Sequence, residues 1–241
     1  SEKGIRSQQR PARVCRDMDK IRRVTEIRSG AGATGMNKYQ SGSDWLSIRT
    51  GALTGSRLVD AMDFKKDGSP GAKRVNLMKT VLAERLTGDA AHNYVSKEMQ
   101  WGIDNEDAAR AAYELRTGRF VKLCGFAPHP TIDFCGASAD GLIESDGVFE
   151  AKCPNTTTHI SYAEQDEAPE MYWPQMTLEI ICTNRKWADF VSFDPRIKKP
   201  SLQLIVRRFE PSEEYRNKIE QTIINFLEEV DARWELLTTG D

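Results

Sequence analysis

Residues 138–154 read Ser-Ala-Asp-Gly-Leu-Ile-Glu-Ser-Asp-Gly-Val-Phe-Glu-Ala-Lys-Cys-Pro. Two short apolar segments flank a Ser-Asp-Gly turn, a pattern that predicts a β-hairpin in which Gly147 is able to take a positive φ. The midpoint between Asp140 and Glu150 falls at Ser145, inside the turn. A regular hairpin therefore places the two carboxylates nearly opposite each other, with Cβ atoms about 5 Å apart.

Lys152 follows Glu150 by two residues, so it projects from the same face of the strand. Two carboxylates and a lysine on one strand face can form a site for Mg²⁺, which prefers oxygen ligands. The backbone carbonyl of Ala151 is a further candidate ligand. Lys152 would then deprotonate or orient the attacking water and offset negative charge on a scissile phosphate. The alternative is a solvated hairpin with ordinary surface charges.

This stretch resembles the PD-(D/E)xK nuclease signature, with Ala139 in place of the usual proline. Residues 45–56, Trp-Leu-Ser-Ile-Arg-Thr-Gly-Ala-Leu-Thr-Gly-Ser, resemble the N-terminal motif of the bacteriophage lambda exonuclease family of YqaJ-like viral recombinases. Residues 100–108 and 194–198 are similar to other landmarks of that family, around Gln-Trp-Gly and Asp-Pro-Arg-Ile-Lys. The resemblance follows the family's order from about Ser43 to the C-terminus and implies a bacterial or prophage homologue.

Helices on both sides of a hairpin sheet predict an α/β domain. The resemblance implies more: a restriction-endonuclease-like core with a mixed central β-sheet flanked by helices. Residues 43–241 are predicted to form this single domain. Residues 1–42 are predicted to be a basic, flexible arm, because the first 40 residues hold ten Lys or Arg against four Asp or Glu. The arm either contacts DNA or has no specific role.

The resemblance also implies a set of catalytic residues. Glu106, on a long helix, is expected to be a third acidic metal ligand beside Asp140, Glu150 and the Ala151 carbonyl; its alternative role is a surface ion pair. Gln175, on a later helix, is expected to lie near the catalytic centre.

The matching family residues at Arg49 and Ser56 hold the 5′-phosphate of the digested strand, so that role is expected here, with Thr54 completing the pocket. The start of a helix favours an anion. The alternative is an ordinary helix cap beside a surface arginine. The other DNA contacts that the resemblance implies are Lys97, Met99 and Ser138.

The activity implied is a Mg²⁺-dependent, processive 5′→3′ exonuclease on double-stranded DNA ends with a 5′-phosphate. It would release 5′-mononucleotides and leave 3′ overhangs for recombination by single-strand annealing. The resemblance further implies two metal ions in the active complex, Mn²⁺ as a substitute, a homotrimeric ring and a single-strand annealing recombinase as partner. One alternative is an endonuclease of the same superfamily, which has no need to hold a strand end. Another is a DNA-binding protein on a degenerate nuclease fold.

The composition fits a soluble globular protein: 241 residues, 39% hydrophobic, 29% charged and a net charge of −2. No run approaches the ~18 apolar residues of a membrane span, and no signal peptide is evident. Five scattered cysteines favour a reducing cytoplasm, in a bacterial or phage-infected cell. The three histidines lack zinc-ligand spacing. No P-loop or dinucleotide-binding fingerprint is present, which disfavours nucleotide-dependent enzymes.

Hydrophobic periodicity predicts the remaining elements. On the helix over 96–116, the expected core stripe is Trp101, Ala108, Ala112 and Leu115, with Glu106 on the neighbouring stripe. The other predicted helices are 72–86, 155–164, 168–181 and 212–237. The other predicted strands are 120–126, 132–136, 187–193 and 202–209.

Overall fold

A computed structural model describes residues 48–91 and 96–239 of the chain. The predicted basic arm and its boundary at Ser43 lie outside these residues. The strands are β1 (Leu53–Thr54), β2 (Val121–Lys122), β3 (Ala127–Pro128), β4 (Cys135–Ala137), β5 (Gly141–Ile143), β6 (Gly147–Lys152), β7 (Trp187–Phe193) and β8 (Leu204–Phe209). The α-helices are α1 (Gly55–Ala61), α2 (Ala72–Thr87), α3 (Lys97–Thr117), α4 (Thr156–Ala163), α5 (Trp173–Cys182) and α6 (Glu213–Thr238).

The central sheet has the strand order β2-β5-β6-β7-β8. The pairing of β6 with β7 is parallel, and the other three pairings are antiparallel, so the sheet is mixed as predicted. A smaller sheet, β1-β4-β3, lies earlier in the chain and pairs β1 with β4 in parallel. Among the described helices, none is long and apolar enough to cross a membrane.

Helices cover both faces of the central sheet. Helix α3 packs Tyr113 on the face that carries Phe149, while α5 packs Met176 on the face that carries Val148. Side chains of a strand alternate between faces, so Glu150 shares the α5 face with Val148. A further cluster joins α1, α2, α5 and α6, with Leu178 as the contribution of α5. Strand β6 is therefore buried between two helices, which gives its polar residues a fixed surrounding.

The hairpin forms in the predicted register but with a different turn. Gly141 pairs with Phe149 and Ile143 with Gly147, so the axis of the hairpin passes through the position of Ser145. Gly147 does not use its freedom to take a positive φ, and in this turn Glu144 takes one, at 49°. Gly147 instead begins β6 beneath the Trp187 ring, where an added Cβ would lie 2.1 Å from a ring carbon. A close approach in the tertiary structure, and not the turn, requires this glycine.

The predicted core stripe of α3 was wrong by one position around the helix. Ala109 and Tyr113 are fully buried, whereas Leu115 is 90% exposed and Ala108 is also exposed. The helix is rich in alanine, so its stripes differ little in hydrophobicity. Tyr113 sets the rotation, because its hydroxyl donates to the buried Asp189 at 2.7 Å. The stripe that faces the sheet is the one that carries Glu106.

Three other predictions differ in extent. The strand expected over 120–126 shrinks to β2. The strand expected over 132–136 shrinks to β4, since the N–H groups of Thr131 and Ile132 donate to the His129 ring and not to a neighbouring strand. The helix expected over 168–181 begins as a 3₁₀ turn at Glu170–Tyr172, and α5 follows from Trp173.

Candidate active site

The hairpin brings the three signature residues together at the end of β6. Asp140 lies just before β5, and its Oδ2 accepts a hydrogen bond from the Ala151 N–H at 2.8 Å. Lys152 Nζ donates to Glu150 Oε1 at 2.5 Å, as expected for two residues on one strand face. The lysine also lies over the Tyr172 ring, 5.2 Å from its centroid. The predicted convergence of two carboxylates and an ammonium group is thus present.

Glu150 is completely buried, and α5 supplies its second hydrogen-bond donor. Gln175 Nε2 donates to Glu150 Oε1 at 2.6 Å and to Glu179 Oε1 at 2.9 Å. Gln175 therefore lies at the centre, where it was expected. Glu179 was not predicted from the sequence. Its spacing of four residues from Gln175, which puts both side chains on one helix face, was the signal that could have found it.

Glu106 reaches the same centre from the opposite face of the sheet. Burial, the charge of Asp140 and a hydrogen bond to Asp140 raise the pKa of Glu106 to about 8. Burial and Asp140 also raise the pKa of Glu150 to about 7, against the opposing effect of Lys152. Burial would lower the pKa of Lys152, but Glu150 and Asp140 raise it overall. We call Asp140, Glu150 and Glu106, with Lys152, the carboxylate cluster; its negative groups crowd one another.

The carboxylate cluster offers oxygen ligands of the type that a hard divalent cation takes. Within residues 48–91 and 96–239, no group of three His, Cys, Asp or Glu side chains is placed to hold a metal ion. However, Oε2 of Glu150 is buried and meets no N–H or O–H donor in the described residues. A buried acceptor without a partner is costly in a folded protein. Oxygen donors that repel one another around such an atom are the ligand type that Mg²⁺ takes.

A second group of polar residues adjoins the carboxylate cluster. Arg49 donates to Ser138 Oγ at 2.9 Å and to Thr54 Oγ1 at 3.3 Å. Burial and the nearby Arg57 lower the pKa of Arg49 to about 10, so it stays charged at neutral pH. We call Arg49, Thr54 and Ser138 the arginine pocket. Ser138 precedes Asp140 by two residues, so one short connection between β4 and β5 serves both groups.

The remaining predicted DNA contacts lie outside these two groups. Ser56 is exposed in the first turn of α1. Lys97 and Met99 are exposed in the first turn of α3. Met99 precedes Glu106 by seven residues, which corresponds to about 10 Å along the helix axis. Lys97 and Met99 thus lie about two helical turns before Glu106 on α3.

Two sequence landmarks with no assigned role form one structural clamp. Arg196 lies over the Trp101 ring, 4.5 Å from its centroid, and donates to the Pro154 carbonyl at 2.8 Å. Asp194 accepts from Arg196 at 2.7 Å and from Thr156 at 2.6 Å. Burial would raise the pKa of Asp194, but these hydrogen bonds lower it to about 2. The clamp fastens α3 to the segment that follows Lys152.

Known proteins share this architecture. Residues 44–186 match the model of the YqaJ-like viral recombinase domain. An alkaline exonuclease from Laribacter hongkongensis is 37% identical, over 82% of this chain and 97% of that one, with a TM-score of 0.75. The same enzyme in complex with dAMP gives a TM-score of 0.76 at the same identity and coverage.

A phage-related exonuclease from Haemophilus somnus 129PT shares the fold at 14% identity, with a TM-score of 0.62, over 78% of this chain and 96% of that one. Among curated proteins, none matches the chain. The family model covers more than half of the 241 residues, and the Laribacter enzyme aligns with most of the described fold. The chain therefore belongs to the family of YqaJ-like viral recombinase domains.

Proposed function

We propose that the chain is a Mg²⁺-dependent exonuclease that degrades double-stranded DNA in the 5′→3′ direction from ends that carry a 5′-phosphate. The observation that carries this proposal is the link between the arginine pocket and the carboxylate cluster. Arg49 is hydrogen-bonded to Ser138, and Asp140 follows two residues later. A half-buried cation next to a cluster of carboxylates suits an enzyme that holds a terminal phosphate while it cuts the next one.

Family membership and the Laribacter alkaline exonuclease support a DNA exonuclease. The complex of that enzyme with dAMP supports a 5′-mononucleotide as the product. A 5′→3′ direction on duplex ends leaves a 3′ single strand, which fits a recombinase family. The substrate class, direction and product of this chain are thus parts of one proposal.

The residues of the carboxylate cluster have different roles in the proposed reaction. Asp140, Glu150, Glu106 and the Ala151 carbonyl would hold Mg²⁺, with Mn²⁺ as a substitute and two ions in the active complex. A bound cation would supply Lewis-acid stabilisation of the scissile phosphate. Lys152 orients the attacking water by hydrogen bonding and offsets negative charge as the phosphate is attacked. Gln175 holds Glu150 in place through its amide.

The arginine pocket gives the enzyme its direction. Arg49 pairs with the 5′-phosphate, Thr54 and Ser138 hold the guanidinium, and Ser56 at the start of α1 adds a hydroxyl contact. An endonuclease would have no use for such a pocket. At the other end of the site, Lys97 contacts the DNA backbone, and Met99, which is 52% exposed, acts as a wedge where the strands separate.

We further propose a ring of three subunits that encloses the DNA and gives processivity, working with a single-strand annealing recombinase in the cytoplasm. Leu115 and Phe120, at 90% and 84% exposure, provide apolar surface of the kind that subunit contacts cover. The mass in solution, measured by light scattering, tests the ring: three times the chain mass of 27.2 kDa is expected. A monomer at working concentrations would count against it.

The decisive experiment for the activity uses linear duplex DNA labelled at one 5′ end or at one 3′ end, with Mg²⁺. We expect immediate release of the 5′ label as a mononucleotide, while the 3′ label stays on long single strands. EDTA and Lys152→Ala serve as controls and should abolish both effects. Cleavage of closed circular DNA at a similar rate would instead indicate an endonuclease. Binding without cleavage under any divalent metal would indicate a degenerate nuclease fold.

A further inference from the structure

We propose that Glu179 is a positioning residue that fixes the amide of Gln175 against Glu150 and thereby sets the geometry of the carboxylate cluster. The inference rests on the exonuclease function proposed above. Glu179 does not belong to the nuclease signature, and it would touch neither DNA nor metal. It would orient the cluster through Gln175.

The geometry of the amide carries the proposal. Gln175 Nε2 donates at 2.6 Å to Glu150 Oε1 and at 2.9 Å to Glu179 Oε1. An amide has two N–H bonds, so two acceptors fix the plane of the group, whereas one acceptor leaves it able to rotate. Helix α5 is a firm base for this arrangement, because Met176, Leu178 and Ile180 are fully buried around it.

The buried carboxylate of Glu179 also lowers the stability of the fold, so its presence is not explained by a structural role. Its side chain is 1% exposed, and its Oε2 meets no hydrogen-bond donor in the described residues. Burial and the charges of Glu150 and Asp140 raise its pKa well above the ordinary value. A methionine of similar shape would remove this cost. Local rules of stability are broken mainly where function requires it.

The charge of Glu179 also acts on Arg49, which suggests a competing route. Through that route Glu179 would affect recognition of the terminal phosphate and not the cleavage step. The two routes predict different measurements. Action through Gln175 changes kcat, whereas action through Arg49 changes the preference for phosphorylated over dephosphorylated ends.

The test compares Glu179→Met, Glu179→Gln, Gln175→Ala and the double variant Gln175→Ala/Glu179→Met in the full chain. For Glu179→Met we expect kcat to fall about 10- to 100-fold, the range for residues that orient a metal ligand, with KM for DNA unchanged. The Tm should stay equal or rise. Glu179→Gln should restore kcat, because its amide oxygen still accepts from Gln175. The double variant should be no slower than Gln175→Ala alone.

Thr177→Val is the matched control, because Thr177 Oγ1 is another buried polar atom of α5 that lacks a partner in the described residues. Its kcat should equal that of the wild type. A Glu179→Met variant with unchanged kcat, a lowered Tm, additivity with Gln175→Ala, or a changed end preference would each overturn the proposal. If the wild type itself did not cleave DNA, the exonuclease function would be refuted. Failure of the proposed function is thus distinguishable from failure of the proposal on Glu179.

Discussion

Two buried glutamates of this fold, Glu84 and Glu150, differ in how their oxygens are used. Arg57 donates to both oxygens of Glu84, at 2.6 and 2.8 Å, and the backbone N–H groups of Gly51 and Ala91 complete the set. Burial would raise the pKa of Glu84, but these hydrogen bonds lower it overall. Glu150 keeps one oxygen without a donor among the described residues, and its pKa is raised.

The contrast distinguishes a carboxylate that stabilises the fold from one that is available to a cation or a substrate. A carboxylate that holds a fold together has its acceptors filled, because an open one would cost stability. A carboxylate that binds a cation or a reacting group keeps an acceptor open, and burial beside other carboxylates raises its pKa. Glu84 holds the turn beside Arg49, so support and chemistry lie within a few residues of each other in this protein.

The largest expected effect comes from removing the ammonium group of Lys152 from the carboxylate cluster. Lys152→Ala should reduce the single-turnover cleavage rate by about 10³-fold or more, because the ammonium group acts where charge develops. Binding of labelled duplex should persist. Lys186→Ala, at an exposed lysine paired with Asp146, is the matched control and should cleave normally. Unimpaired cleavage by Lys152→Ala would contradict the assignment of the carboxylate cluster as the catalytic centre.

The next largest effect should be the loss of stability when Glu84, the carboxylate that stabilises the fold, is replaced. Glu84→Ala leaves Arg57 and two backbone groups without their acceptor, so the free energy of unfolding should fall by about 3 kcal/mol. Denaturant titration measures this, with Asp146→Ala, in an exposed ion pair, expected to cost about 0.5 kcal/mol or less. If stability held and the cleavage rate collapsed, Glu84 would belong with the catalytic residues.

Arg49→Ala tests the arginine pocket by a ratio of rates. The preference of kcat/KM for 5′-phosphorylated over dephosphorylated ends should shrink about 30-fold, which corresponds to about 2 kcal/mol for hydrogen bonds to a charged group. General damage to the fold cancels in the ratio. Arg233→Ala, at an exposed arginine of α6, should leave the preference unchanged. Equal losses on both kinds of end would argue against a phosphate pocket.

The smallest expected effect is a pH dependence of stability at Glu84. Its folded pKa is lowered from 4.5, so its contribution is present above about pH 4.5 and is lost as the pH falls through the folded pKa. The gap in unfolding free energy between the wild type and Glu84→Gln should therefore narrow below pH 4.5. Urea titrations at pH 3 and pH 6 measure it. A gap that widened in acid would show that the charge of Glu84 does not stabilise the fold.

The sequence predicted well what local geometry determines. The register of the hairpin follows from its turn, so Asp140, Glu150 and Lys152 could be placed in advance, and the strand over 187–193 was correct. The resemblance added Gln175, which donates to Glu150, and Glu106, which is hydrogen-bonded to Asp140; their catalytic roles stay predictions. It also added Ser138, which meets Arg49.

What could not be predicted depends on contacts between distant segments. Gly147 is required by a ring forty residues later in the chain, and Tyr113 sets the rotation of α3 through a partner on β7. Glu179 was missed because a glutamate on a helix is usually a solvated charge. Only the packing of α5 against β6 shows that it is buried.

The short connection that carries Ser138 and Asp140 has a consequence for product size. Two residues of backbone span at most about 7 Å, and in the proposed function the two ends of this span would face the terminal phosphate and the bond to be cut. The connection would therefore fix the distance between the bound phosphate and the cleaved bond. Because this distance is that of a single nucleotide, the enzyme would release one nucleotide at a time. An inserted residue between Ser138 and Asp140 should therefore change the length of the released product.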